Sequence, residues 1–242
     1  MNTLAKYLFV TTLGVFTLSC QLDEIVITTN VDSEQKISET DGNFEDKLTA
    51  NSQFGSAIAT LGDLDGDGIT DLAVGAPLAN DSGIDAGAIW VLFMNMDGTV
   101  KSRKKISGDA DRFIDRLLSG DLLAGGNLFG SSLANMGDLD KDGVTDLAVG
   151  SPGDDDGGLD RGAIWVLYLN TDGTISREAK ISLTESSFNL PIKDGDHFGE
   201  VIANAGDIDE DGITDLAVGV PFDDDGGTDS GAAFILYINI RS

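Results

Sequence analysis

The strongest constraint on this chain is that it repeats itself. A Phe-Gly pair occurs at Phe54-Gly55, Phe129-Gly130 and Phe198-Gly199, with spacings of 75 and 69 residues. Nine residues after each Phe begins an acidic stretch, at Asp63, Asp138 and Asp207. The first reads Asp63-Leu64-Asp65-Gly66-Asp67-Gly68-Ile69-Thr70-Asp71. The other copies run from Asp138 to Asp146 and from Asp207 to Asp215. Each leads into Leu-Ala-Val-Gly and then a Pro, giving Gly75-Ala76-Pro77, Gly150-Ser151-Pro152 and Gly219-Val220-Pro221. Upstream markers repeat too, as Lys36-Ile37-Ser38, Lys105-Ile106-Ser107 and Lys180-Ile181-Ser182, each followed by a Phe at Phe44, Phe113 and Phe188.

Within a unit the pattern is that of strands. Ser56–Leu61 is a run of small and apolar residues, Asp71–Gly75 begins as the acidic loop ends, and Ala88–Phe93 is continuously apolar. That last run is matched by Ala163–Tyr168 and Ala232–Tyr237. Asn95-Met96-Asp97-Gly98-Thr99 and Asn170-Thr171-Asp172-Gly173-Thr174 are turn sequences, with Gly available for positive φ. A fourth strand then leads into Lys-Ile-Ser. Four short strands per unit with Gly-rich turns predict an all-β chain of β-propeller-type blades, three of them four-stranded. Runs apolar on both sides fit blades covered by two neighbours, and Trp90 and Trp165 are expected in the packing between them. The repeats are placed at about 34–104, 105–179 and 180–242. The second holds six extra residues within 112–128, where Arg112–Leu118 predicts a short helix.

The two ends of the repeat array are unequal. The third unit reaches Ile238-Asn239-Ile240 after its third strand, while Lys36-Ile37-Ser38 is a fourth-strand marker with no strands before it. Three blades are fewer than the ~4–8 of a closed propeller. The expectations are an open partial propeller, a relic of a longer protein, or copies that exchange strands to make a homo-oligomer of six blades.

The acidic loops are predicted to bind about three Ca²⁺ ions. Ca²⁺ takes 6–8 oxygens with tolerant geometry, while Mg²⁺ prefers strict octahedra and retained waters. Carboxylates at positions 1, 3 and 5 supply ligands: Asp63, Asp65 and Asp67; Asp138, Asp140 and Asp142; Asp207, Asp209 and Asp211. Gly at position 6 permits a sharp turn. The carbonyls of Ile69, Val144 and Ile213 at position 7 can then face the ion, and Asp71, Asp146 and Asp215 at position 9 close the site. An EF-hand would need Glu at position 12, which is Val74, Val149 or Val218 here. Four unpaired carboxylates in so short a loop repel one another without a cation. A second set of acidic turns, Asp154-Asp155-Asp156 and Asp223-Asp224-Asp225, reads as solvated turns rather than ion sites.

Composition narrows the partner class. The formal net charge is -27, from 42 acidic and 15 basic residues, which disfavours nucleic acid and anionic membrane. One Cys gives neither a disulfide framework nor a Cys-based zinc site. His197, the single His, precedes a Phe-Gly and reads as structural. No nucleophile-His-acid set can be assembled, so an enzyme is not expected.

The N-terminus reads as a signal. Lys6 precedes an apolar run from Tyr7 to Leu18, then Ser19-Cys20. The run is shorter than the ~20 residues of a spanning helix. It resembles a bacterial lipoprotein signal over residues 1–19, with Cys20 as the acylated first mature residue; Thr17 stands where that pattern has Leu. Residues 20–33 then form a tether, in which Ile25-Val26-Ile27 could pair as a strand.

Phe54-Gly55, the aspartate loop and Gly75-Ala76-Pro77, in that order and in three copies, resemble the FG-GAP repeats of the integrin α-subunit β-propeller and its bacterial relatives. The resemblance covers residues 34–242. It implies structural Ca²⁺ and a protein or glycan partner held by loops between blades. The expected function is a binding or adhesion module, secreted or anchored at a bacterial outer membrane or cell surface. The alternative is a purely structural envelope lipoprotein, or an accessory module derived from a larger extracellular enzyme.

Overall fold

The computed structural model describes residues 31–80, 83–107, 126–184 and 190–240. Residues 35–242 form one compact unit, separate from residues 1–34. The expected signal, Cys20, the Ile25-Val26-Ile27 run, the expected helix at Arg112–Leu118, Phe113 and Phe188 lie outside the described residues.

Eleven strands are present among the described residues, and no helix. The first sheet contains β1 (Ile58–Gly62), β2 (Asp71–Ala76), β3 (Ala88–Met94) and β4 (Val100–Ser107). The second contains β5 (Leu133–Gly137), β6 (Asp146–Ser151), β7 (Ala163–Leu169) and β8 (Ile175–Ile181). The third contains β9 (Val201–Gly206), β10 (Asp215–Val220) and β11 (Ala232–Leu236). Each sheet is an antiparallel meander in chain order, of four, four and three strands. The fold is therefore all-β, with one sheet per repeat. The third sheet has three strands rather than the expected four. Lys105-Ile106-Ser107 ends β4 and Lys180-Ile181 ends β8, whereas Lys36-Ile37-Ser38 lies in no sheet: Ser38 makes only an isolated bridge to Asp41.

The registers repeat. Val74 lies opposite Trp90, and Val149 opposite Trp165. Both tryptophans are fully buried, but only Trp165 packs between two sheets as expected; Trp90 lies on the outer face of the first sheet, under the chain leading into it. Burying each large side chain contributes roughly 2–3 kcal/mol. Faces of successive sheets meet in two shared cores. Ile89, Val91 and Phe93 of the first sheet pack with Leu147, Trp165 and Leu167 of the second. Ile164, Val166 and Tyr168 of the second pack with Ile202, Leu216 and Val218 of the third. The outer face of the first sheet is covered by the chain leading into it: Phe44, Ile37, Leu48 and Phe54 pack on Trp90, Val74 and Leu92.

Phe-Gly and Gly-x-Pro meet at these junctions, which is why both recur. Gly55 N donates to Gly75 O at 2.9 Å, and Gly130 N to Gly150 O at 3.0 Å. Across the first junction, a Cβ on Gly75 would lie 2.1 Å from the Gly130 carbonyl oxygen; across the second, a Cβ on Gly150 would lie 2.1 Å from that of Gly199. At Gly219, the same position in the third sheet, the nearest atom would be Val201 Cβ at 3.2 Å. Within a single copy, Gly150→Ala is therefore expected to destabilise the fold by about 3 kcal/mol through overpacking, and Gly219→Ala by less than ~1 kcal/mol, both read at a concentration where the chain is monomeric. Chemical denaturation of both variants against the parent checks this.

Candidate metal centres

Each acidic loop is fixed at both ends by its ninth residue. Asp71 Oδ2 accepts from Leu64 N at 2.9 Å and Oδ1 from Met94 N at 3.0 Å. Asp146 does the same with Leu139 N (2.8 Å) and Leu169 N (3.3 Å), and Asp215 with Ile208 N (2.8 Å) and Ile238 N (2.9 Å). One carboxylate thus ties the start of the loop to the far end of the sheet's third strand or, in the third sheet, to Ile238 two residues beyond it. All three are buried.

The rest of the loop curls by local bonds. The first Asp accepts from the sixth residue's amide: Gly68 N to Asp63, Gly143 N to Asp138 and Gly212 N to Asp207, at 2.8, 2.8 and 2.9 Å. The fifth Asp accepts from the seventh residue's amide, with Ile69 N, Val144 N and Ile213 N donating to Asp67, Asp142 and Asp211. Two positions per loop have positive φ. Gly68, Gly143 and Gly212 were expected to turn; Gly66, Lys141 and Glu210, at φ 80°, 65° and 62°, turn as well.

Carboxyl oxygens of Asp63, Asp65 and Asp71 converge within 4.8 Å of one another, as do those of Asp138, Asp140 and Asp146 and those of Asp207, Asp209 and Asp215. Positions 1, 3 and 9 are thereby brought together in every repeat. Asp67, Asp142 and Asp211 lie outside these triads. Ile69, Val144 and Ile213 anchor their side chains against the hydrophobic cores, so only their backbone is available to an ion. The donors are all carboxylate oxygen, without sulfur or imidazole, which matches a hard cation such as Ca²⁺.

The three loops differ electrostatically. In the first, Lys101 Nζ lies 2.7 Å from Asp65 and 2.5 Å from Asp67. These contacts, first to Asp65 and then to Asp67, hold the lysine above its ordinary range; the Lys101 bond in turn lowers Asp67. This lysine was not anticipated: it comes from β4, more than thirty residues downstream. Burial pushes Asp71 up, and the charge of Asp65 adds to it. In the second loop, burial pushes Asp146 up to about 6; the Leu139 and Leu169 amides oppose this, and the charges of Asp140 and Asp142 reinforce it.

The Asp154 turn, expected to be solvated, is not. Asp154 is 3% exposed and lies 2.8 Å from the buried Lys180 Nζ, which also reaches Asp156 at 3.0 Å. Burial raises Asp154 despite Lys180. Burial opposes charge on Asp156 as well, but hydroxyl bonds from Thr184 and Ser182, with Lys180, hold it below the usual value. Lys180 therefore fills this turn as an internal cation. His197 packs edge-on against Phe222 at 4.8 Å, with Nδ1 3.6 Å from Glu200.

Comparison with known families matches the FG-GAP repeat at residues 54–92, 129–167 and 194–236, each span holding one Phe-Gly pair and one acidic loop. This chain belongs to the FG-GAP repeat family. It is 38% identical over 170 residues to integrin alpha-PS5 of Drosophila melanogaster, covering 69% of this chain and 15% of that protein. Integrin alpha-4 of Xenopus laevis is 33% identical over 168 residues, covering 69% of this chain and 14% of that protein. Human integrin alpha-IIb is 35% identical over 173 residues, again covering 69% of this chain and 15% of that protein. The FG-GAP chain thus spans about one seventh of the length of these relatives.

Two outcomes follow from the loop geometry. Asp146 holds its proton more tightly in the ion-free fold than in the unfolded chain. Its stabilising contribution is therefore present at acid pH and fades as pH rises through about 6. A cation must displace that proton. Calcium titration calorimetry at pH 5 and pH 7 is expected to show tighter binding at pH 7, with proton release in the second loop abolished by Asp146→Asn. Lys101→Ala is expected to tighten the first loop on the order of tenfold, by removing a competing cation. The same titrations read it out.

Proposed function

We propose that this FG-GAP chain is a calcium-stabilised binding and adhesion module of the cell exterior, without catalytic activity. The observation that carries this is the threefold recurrence of one carboxylate triad at one point of every sheet, closed each time by a buried Asp that also binds an amide at, or in the third sheet two residues past, the end of the sheet's third strand. An ion there stabilises loop and sheet together. The ligands are Asp63, Asp65 and Asp71 and their counterparts. Asp67, Asp142 and Asp211 and the carbonyls of Ile69, Val144 and Ile213 complete the shell.

The likeness to integrin alpha chains supports a protein or glycan partner held by loops between sheets. The charge of -27 supports a partner that is neither nucleic acid nor an anionic bilayer. Cys20 would carry a lipid anchor after removal of residues 1–19, placing the module at a bacterial surface or, without acylation, in the medium. Loops of modest affinity suit such a setting, where extracellular calcium modules work at roughly 10⁻⁴–10⁻³ M.

At a hundredfold excess over Kd, each filled site adds about 2.7 kcal/mol. Three such sites raise Tm on the order of 15 °C or more, since 1 kcal/mol shifts a domain of this size by about 2–4 °C. Differential scanning calorimetry in Ca²⁺ and in chelator is the test, and an unchanged melt would refute the calcium reading. For the binding role, the full chain is expected to retain glycan-array or extracellular-protein ligands in Ca²⁺ and lose them in chelator. Retention indifferent to calcium, or hydrolysis of an arrayed polysaccharide, would overturn that part.

A further inference from the structure

Both internal junctions are built the same way. Just before Phe-Gly, two successive amides donate to the preceding sheet: Leu128 N to Asp85 O at 3.1 Å and Phe129 N to Ala86 O at 3.2 Å. The second junction repeats this with His197 N to Asp160 O at 3.2 Å and Phe198 N to Arg161 O at 2.9 Å. Gly87 and Gly162 lie under the incoming Phe, where a Cβ would come within 2.1 Å of its carbonyl oxygen. In the second sheet the fourth strand also delivers Lys180 to the buried Asp154, and Ser182 to Asp156 at 2.7 Å.

The third sheet has the receiving half of this arrangement. Asp229 and Gly231 keep the junction backbone, with φ of 50° and 75° against 51° and 87° at Asp85 and Gly87. Among the described residues no hydrogen bond reaches the carbonyls of Asp229 or Ser230, and Gly231 is exposed. Ile235 and Tyr237 are 46% and 59% exposed, where the aligned Val166 and Tyr168 are 4% and 6%. Asp223, aligned with Asp154, is 2% exposed, yet its Oδ2 has no hydrogen-bond partner. Lys193 reaches Asp225 from the surface at 2.8 Å. The far edge of β11 carries no strand among the described residues.

The donating half lies at the other end of the array. Gln53 has φ 56°, against 55° and 59° at the aligned Leu128 and His197, and no hydrogen bond is made by the amides of Gln53 or Phe54 among the described residues. Gly55 is exposed, whereas Gly130 and Gly199 are buried. Residues 31–38 align with β4, matching Val31 to Val100 and Lys36-Ile37-Ser38 to Lys105-Ile106-Ser107. Ile37 precedes Phe54 by 17 residues, as Ile181 precedes Phe198. Leu48 already packs on the first sheet as the aligned Ile192 packs at the third. Among the described residues, the one ion pair of Lys36 is to exposed Asp41, at 3.2 Å.

We propose that the third sheet of one copy receives the N-terminal segment and first sheet of a second copy, head to tail. Residues 31–38 of the incoming copy pair along β11 as its fourth strand. Lys36 then neutralises Asp223, and Ser38 meets Asp225. The Gln53 and Phe54 amides donate to the Asp229 and Ser230 carbonyls, and the apolar face at Ile235 and Tyr237 is covered. The chain's own segment is a poor occupant. Phe44 is fixed on the first sheet, six residues after Ser38, and six residues span at most ~20 Å. Two sheets of ~10 Å spacing stand between. Each copy gives one end and receives at the other, so two copies close into six sheets without a free junction. This goes beyond the calcium reading and does not depend on it.

Sedimentation velocity of the full chain in saturating Ca²⁺ is expected to show a species of twice the 25.3 kDa chain mass. Lys36→Glu, a surface change that leaves the monomer fold intact, should weaken it on the order of a hundredfold, since a buried carboxylate loses its partner. Asp223→Lys combined with Lys36→Glu should restore it. By the β7–β8 register, Ile37 would lie opposite Ala233. Ile37→Cys with Ala233→Cys, in a Cys20→Ser background, should then give a disulfide-linked dimer on a non-reducing gel. A monomer at every concentration, a dimer indifferent to Lys36→Glu, or a disulfide closed within one chain would each overturn the proposal.

Discussion

The buried aspartate at the end of each acidic loop is the interaction on which the rest of the sheet depends. Asp71, Asp146 and Asp215 are almost wholly withdrawn from solvent, and each spends both oxygens on backbone amides from two separate elements. A buried carboxylate is tolerated when such bonds satisfy it, and it costs several kcal/mol when they do not. Here it also faces two more carboxylates within 4.8 Å. The amides stabilise the charge and the neighbours destabilise it. In the second loop the neighbours and burial prevail and the group holds a proton to about pH 6. The divalent cation proposed for this loop would reverse that balance. It would turn three mutually repelling groups into a common ligand set, and through the Leu169 amide bond to Asp146 that stabilisation would reach the end of β7.

The sheets themselves are joined by backbone contact rather than by side chains alone. Gly75 and Gly150 allow one sheet's second strand to touch the next sheet's Phe-Gly carbonyl, where no Cβ fits. Gly87 and Gly162 admit the incoming Phe in the same manner. Stability in such an array is the sum of units and nearest-neighbour interfaces. A glycine lost at one junction therefore weakens one interface fully and the others hardly at all.

Much of this was legible in the sequence because it depends on local pattern. The strands from Asp71, Ala88, Ala163 and Ala232 fall where the apolar runs placed them, within a residue or two. Phe-Gly and Gly-x-Pro marked the junctions because only certain residues fit there. What stayed hidden depends on pairing between distant positions. Lys101 reaches Asp65 only because β4 returns beside the loop, and no spacing rule encodes that. Lys141 and Glu210 take left-handed φ without being Gly, so their role in the turn had no compositional sign. The Asp154 turn looked solvated because the run of acids is polar throughout; its cation comes from Lys180, on the sheet's last strand.

That last pair gives meaning to differences between the repeats. At the position of Asp154 the first sheet has Ala79, fully buried, and there Lys105 lies over Trp90 at 4.6 Å. The second has a carboxylate and a lysine in contact. The third has the carboxylate at Asp223, equally buried, with an oxygen unsatisfied. Removing one partner of a buried ion pair costs about 3–5 kcal/mol, whereas an apolar replacement of both is nearly neutral. Ala79 shows that the fold accepts an apolar residue at this point. A carboxylate kept there without its cation is thus a local conflict, of the kind that marks a site completed from outside the sheet.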